Sequence, residues 1–176
     1  MKNLFKKQKK AAGFTLIEMI ITISILSFGV MLVYQAFFWL VSSSYIISNR
    51  FTAAYLAQEG VEIIRNLRDN NFITISQNPT FSWSDGLVGC IAGCMADYKT
   101  QTASLLVPYD GSFLGLNGDG LYDHDVGSTP TIFKREITIS PVSGTDDVLY
   151  VDVLVTWSYN SQSYSFNTAE YLYNWY

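Results

Sequence analysis

Glu18 is the one charged residue between Ala11 and Asn49, and it stands inside the apolar run FTLIEMIITISILSFGVMLVYQAFFWLV at residues 14–41. A carboxylate in such a run is a charge in search of a counter-charge, because an acid at the centre of a membrane helix costs roughly 2.5–3.5 kcal/mol. If the chain is cut after Gly13, Phe14 becomes a new N-terminus bearing an amine, and Glu18 lies one helical turn from it. In a bundle of parallel helices staggered lengthwise, Glu18 of one copy would meet the Phe14 amine of the next, and each buried charge would gain a partner. The acid also complements the positive end of its own helix dipole. The alternative is a plain membrane anchor with an acid near the interface.

Two other groups of residues carry chemical potential. Asn117, Asp119, Asp123 and Asp125 place oxygen ligands at alternate positions of NGDGLYDHD, as calcium loops do. The EF-hand template fails, since Tyr122 stands where glycine is needed and Ser128 where glutamate is needed. Asx- and Gly-rich turns of this composition also form without metal. Cys90 and Cys94, the only cysteines, suit a small disulfide ring better than zinc, which would need two further ligands. Export to an oxidising compartment favours the bond; two buried thiols are the alternative. Catalysis finds no support. His124 is the only histidine, it lies between two aspartates in a loop, and no nucleophile-elbow or zinc-protease motif occurs.

These residues must be positioned by elements that the composition and patterning define. Five of the eleven basic residues, Lys2, Lys6, Lys7, Lys9 and Lys10, fall in the first ten positions. Without residues 1–13 the chain has six basic and fifteen acidic side chains, a formal net charge of −9. Such a body lacks the clustered cations that nucleic-acid phosphates require. The apolar run exceeds the roughly 20 residues that span a bilayer, and the lysines before it should stay cytoplasmic, sending the remainder outward. The small residues Ala11, Ala12 and Gly13 precede the run, whereas an ordinary secretory signal places its cleavage site after it. The leader could therefore be removed and the whole helix kept.

Beyond the membrane the helical signal becomes amphipathic. Ile47, Phe51, Ala54, Ala57, Val61, Ile64 and Leu67 recur at spacings of three and four, and Asp69-Asn70-Asn71 supplies a stop. Residues 14–69 predict a helix of about 80 Å. Residues 72–128 read as irregular, with short strand candidates such as residues 104–107. Residues 131–140, 148–159 and 163–173 alternate as three strands, and Asn160-Ser161-Gln162 suits a hairpin. The expected architecture is α+β: a long N-terminal helix whose second half packs on an antiparallel β-meander. Its divisions are a leader at 1–13, a membrane or filament-core helix at 14–41, an amphipathic extension at 42–71 and a β-rich globular part at 72–176.

The stretch Gly13-Phe14-Thr15-Leu16-Ile17-Glu18, behind a short Lys-rich leader, resembles the class III signal of type IV prepilins and type II secretion pseudopilins. The resemblance implies a pilin-like fold, cleavage after Gly13 by a cytoplasm-facing prepilin peptidase, N-methylation of Phe14, and assembly with other pilin subunits through Glu18 and the retained helix. It implies residence in the bacterial inner membrane before incorporation into an extracellular or periplasmic filament. Residues 56–72, 127–139 and 171–175 look like minor pilins, though less specifically than the leader. Some pseudopilins bind calcium in a loop comparable to residues 117–125. Many major pilins carry a proline later in this helix; here the first proline is Pro79. A membrane-anchored surface-binding ectodomain that does not assemble is the competing function.

Overall fold

A computed structural model describes residues 13–175. The basic leader, except Gly13, lies outside the described residues. Two units divide near Tyr45. The first is carried by one helix, α1 (Leu16–Gln77), which continues into the second. Thr15 caps it: the Glu18 amide donates to the Thr15 carbonyl at 3.1 Å and to its hydroxyl at 3.3 Å. The apolar stretch contains Thr22, Ser24 and Ser27, whose hydroxyls donate to the carbonyls of Glu18, Ile20 and Ile23 one turn back. Their polarity is thus absorbed by the helix itself. Phe14, Leu16, Ile17 and the large apolar residues through Val41 are exposed, and α1 contains a segment long and apolar enough to cross a membrane.

The second unit holds the core. Ala53, Leu56, Ala57, Val61, Ile64 and Leu67 of α1 pack with Ile137, Ile139, Val151, Val153 and Val155. Of the sequence-predicted stripe, Ile47 and Phe51 are exposed; the buried face begins only at Ala53. The irregular segment contains β1 (Cys94–Met95), β2 (Val107–Pro108), β3 (Gly115–Leu116) and β4 (Tyr122–Asp123), and β5 (Thr129–Pro130) follows it directly. Then come the long strands β6 (Phe133–Pro141), β7 (Val148–Tyr159) and β8 (Gln162–Tyr173). The predicted meander forms as β6-β7-β8 and is extended to five strands, in the order β2-β1-β6-β7-β8; β4-β3-β5 make a second, small sheet. Residues 104–107 do not form one strand, because Ala103–Leu105 closes a 3₁₀ turn before β2 begins.

Every neighbouring pair in both sheets is antiparallel. Strands β7 and β8 pair without interruption from Val148–Tyr173 to Tyr159–Gln162, joined by Asn160 and Ser161 at φ of 49° and 62°. Two successive left-handed residues are what a two-residue hairpin needs to match strand twist. Helix α1 also passes the expected stop at Asn71 and runs to Gln77. The Asn71 side-chain amide is turned inward, donating to the carbonyls of Trp83 and Asp85 at 2.9 and 3.0 Å, and the buried Phe72 ring stacks on Trp83. Packing overrides the local preference of asparagine for turns.

Candidate functional site

Glu18 opens the second turn-length of an exposed apolar helix. Its spacing from Thr15 is that of a capping box, in which the acid's side chain would return to the Thr15 amide. The amide of Glu18 does bond Thr15, but among the described residues its carboxylate has no hydrogen bond or ion pair within the chain. Phe14, four residues earlier, is 78% exposed. Among the described residues, the N-terminal segment thus presents an acid without a counter-charge, four residues from the residue that would become the amine.

Residues 8–34 match the family model for the prokaryotic N-terminal methylation motif. That motif is the prepilin-type signal of type IV pilins and pseudopilins, and the match includes Gly13, Phe14 and Glu18. Neither a curated protein nor a solved structure matches the chain. The chain thus combines a prepilin-type signal with one N-terminal helix long and apolar enough to span a membrane and an α+β, pilin-like arrangement.

The other candidate residues sit in the globular unit. Cys90 and Cys94 are joined in a disulfide with Cα atoms 5.3 Å apart, both sulfurs buried in the core cluster. The bond closes the 3₁₀ turn Leu87–Cys90 onto β1. In the Asx-rich loop the Asn117 side-chain oxygen accepts from the amides of Asp119 and Leu121, at 2.9 and 3.0 Å. Asp123, fully buried, receives the Ser128 hydroxyl and lies 3.1 Å from the Lys99 ammonium, which also pairs with Asp125. The Asn117 amide reaches Asp123 at 3.4 Å. Thus Asp123 and Asp125 converge on Lys99, Asn117 reaches the site only through Asp123, and the Asp119 carboxylate does not join them. Among the described residues no group of three or more His, Cys, Asp or Glu is arranged to hold a metal ion. The Ser128 hydrogen bond, followed by Lys99, holds the Asp123 carboxyl below the usual carboxylate range, and both aspartates raise Lys99.

Arg135, which sequence reasoning passed over, and His124, which it read as a loop residue without a catalytic role, matter most to the geometry. Arg135 of β6 is completely buried and donates to the Leu56 carbonyl of α1 at 3.0 Å and to the Ala96 carbonyl at 2.7 Å, with the Glu59 carboxylate at 3.4 Å. Its signal was present in the alternation Phe133, Arg135, Ile137, Ile139. His124 is half-buried; its amide donates to Asp97 at 3.2 Å, and neither ring nitrogen has a hydrogen-bond partner. Burial, and then the Arg135 charge, push the imidazole below its ordinary range, against the opposing pull of Asp97, Asp110 and Asp123.

Proposed function

We propose that the chain is a minor pilin or pseudopilin: a single-pass inner-membrane precursor, cleaved after Gly13 by a prepilin peptidase, methylated on Phe14, and assembled through α1 into a type IV pilus or type II secretion-like filament. The observation that supports it is the Glu18 carboxylate, without a counter-charge among the described residues, on an exposed apolar helix one turn from Phe14. Within a lengthwise-staggered bundle, the Phe14 amine of a neighbour supplies the missing charge.

Two substitutions separate pairing from capping. Gln serves as well as Glu at the third position of a capping box, so Glu18→Gln keeps the helix start and removes only the charge. Glu18→Val removes both. Both variants should insert into the membrane normally, since each lowers the polarity of an apolar helix. Both should fall in the sheared-filament fraction relative to the membrane fraction, because an amine buried without its partner costs about 3–5 kcal/mol. In the same preparation the intact mass of the wild-type chain should begin at Phe14 and carry one extra methyl. Filament content of Glu18→Gln equal to wild type would refute the pairing and favour an anchored, non-assembling ectodomain.

A further inference from the structure

We infer that the outer face of the sheet carries a binding cleft for an acidic saccharide, a polyhydroxylated ring bearing a carboxylate. The register places Lys134, Thr156 and Ser165 in one row across β6, β7 and β8, with Ser158 opposite Ser163 in the next row of the same face. The alternate residues Phe133, Trp157 and Tyr164 belong to the opposite face, where Phe133 and Trp157 are buried in the core cluster and Tyr164 packs against it. A cleft of about 630 Å³ opens over the Lys134 rows and takes Phe113 into its wall. That volume is within the range of small-molecule sites.

The polar groups of the cleft face solvent rather than one another. Among the described residues, the hydroxyls of Thr156, Ser158, Ser163 and Ser165 have no hydrogen-bond partner in the protein. No Asp or Glu lines the cleft. Glu136, next on the same face, lies instead over Gly93, where a Cβ would meet its carboxylate oxygen at 2.5 Å. Arg65, Arg68, Lys99 and Arg135 are each paired with a carboxylate. Lys134 is not; its ammonium sits 4.5 Å from the centre of the Phe113 ring. A body of net charge −9 thus keeps an unpaired cation in a carboxylate-free cleft.

Each element of that lining selects for part of the ligand. Hydroxyls donate and accept, and so match the hydroxyls of a sugar ring. Phe113, half exposed, offers an apolar surface for a sugar's C–H face. Lys134 supplies a charge-assisted hydrogen bond to a carboxylate. A neutral sugar would leave the ammonium unused, and a bare inorganic anion would leave the hydroxyls and the ring unused.

The test uses the full chain in detergent micelles, with a galacturonic acid trisaccharide and the neutral galactose trisaccharide as probes in titration calorimetry. The acidic probe should bind saturably and tighter than the neutral one. Lys134→Gln should weaken the acidic probe about tenfold, the size of one charge-assisted bond, and leave the neutral probe unchanged. Lys134 is a surface residue, and an unaltered circular dichroism spectrum verifies the variant's fold. Absence of saturable binding, equal affinity for the two sugars, an unchanged Lys134→Gln isotherm, or equal competition by inorganic phosphate would each overturn the assignment. Because the measurement is made on dispersed chains, it stands or falls independently of filament assembly.

Discussion

Replacing Gly60 with alanine should destabilise the globular unit by about 1 kcal/mol, although alanine is the better helix former. A Cβ at Gly60 would lie 2.9 Å from Cγ1 and 3.4 Å from Cγ2 of Val153, and 3.2 Å from Cδ of Arg135. Val153 cannot retreat. It is completely buried on β7, and that strand is paired on both sides. Arg135 is fixed by its bonds to Leu56 and Ala96. Overpacking of this kind costs typically 1–3 kcal/mol, while glycine to alanine in a helix interior gains about 1 kcal/mol. The clash exceeds the propensity gain by a margin centred near 1 kcal/mol.

A double-mutant cycle makes the reasoning sharp. Val153→Ala alone should cost about 2–3 kcal/mol, from two lost methyl groups and the space they leave. In the double variant the new Gly60→Ala methyl occupies part of that space, so the pair should cost about 1–2 kcal/mol less than the sum. Guanidinium unfolding of the full chain in micelles, followed by the near-ultraviolet signal of the buried tryptophans, reads all four corners. A stabilised Gly60→Ala variant, or additivity within about 0.5 kcal/mol, would refute the close helix–sheet approach as the reason for glycine here.

At the β7–β8 hairpin, Ser161→Gly should stabilise by about 1 kcal/mol, since a non-glycine residue in left-handed conformation carries a penalty that glycine does not; an unchanged or lowered melting temperature would contradict the turn geometry. His124 sets an acid limit. Its pKa in the folded chain is depressed below an unfolded value of about 6.5, so below that pH the unfolded chain takes the proton first. Stability is present above it and lost as pH falls through the folded value. The melting temperature should therefore decline from pH 7 to pH 5, and His124→Gln should flatten that window; a decline of equal size in the variant would assign it to other groups.

The features visible in the sequence are those with strong one-dimensional patterns. Glu18 stands out because it is the one charge in a 28-residue, largely apolar run, and β7 because strict alternation marks a strand with one buried face. The strands β1 to β5 have two residues each, too few for any period to register. Helix α1 continues past Asn71 through contacts with Trp83 and Asp85, twelve and fourteen residues away, which no local window contains. The Asx loop presented its acids openly but not its cation. Lys99 reaches Asp123 across 24 residues, and Asp125 across 26. Oxygen spacing alone therefore could not reveal the lysine that Asp123 and Asp125 share.

Arg135 shows why the scarce cations of this chain matter to its architecture. The parity of β6 assigns it to the core face with Phe133, Ile137 and Ile139, yet a buried guanidinium is destabilising unless its donors are used. Its two terminal nitrogens bond the Leu56 carbonyl on α1 and the Ala96 carbonyl beside β1, and Glu59 lies at 3.4 Å. The charge is compensated only when α1, β6 and the short strand β1 are all in place. Arg65 makes a second such link, from Glu62 on α1 to Glu170 on β8, and that hydrogen bond to Glu170 raises its pKa. The Arg65 pair is half exposed and therefore weak by itself; the Arg135 contacts are sealed. An apolar residue of the same volume at 135 would still fill the core, but it would tolerate sliding of α1 along the sheet. The directional bonds of Arg135 tie the sheet to α1 at Leu56, and α1 is the element through which the chain is proposed to assemble.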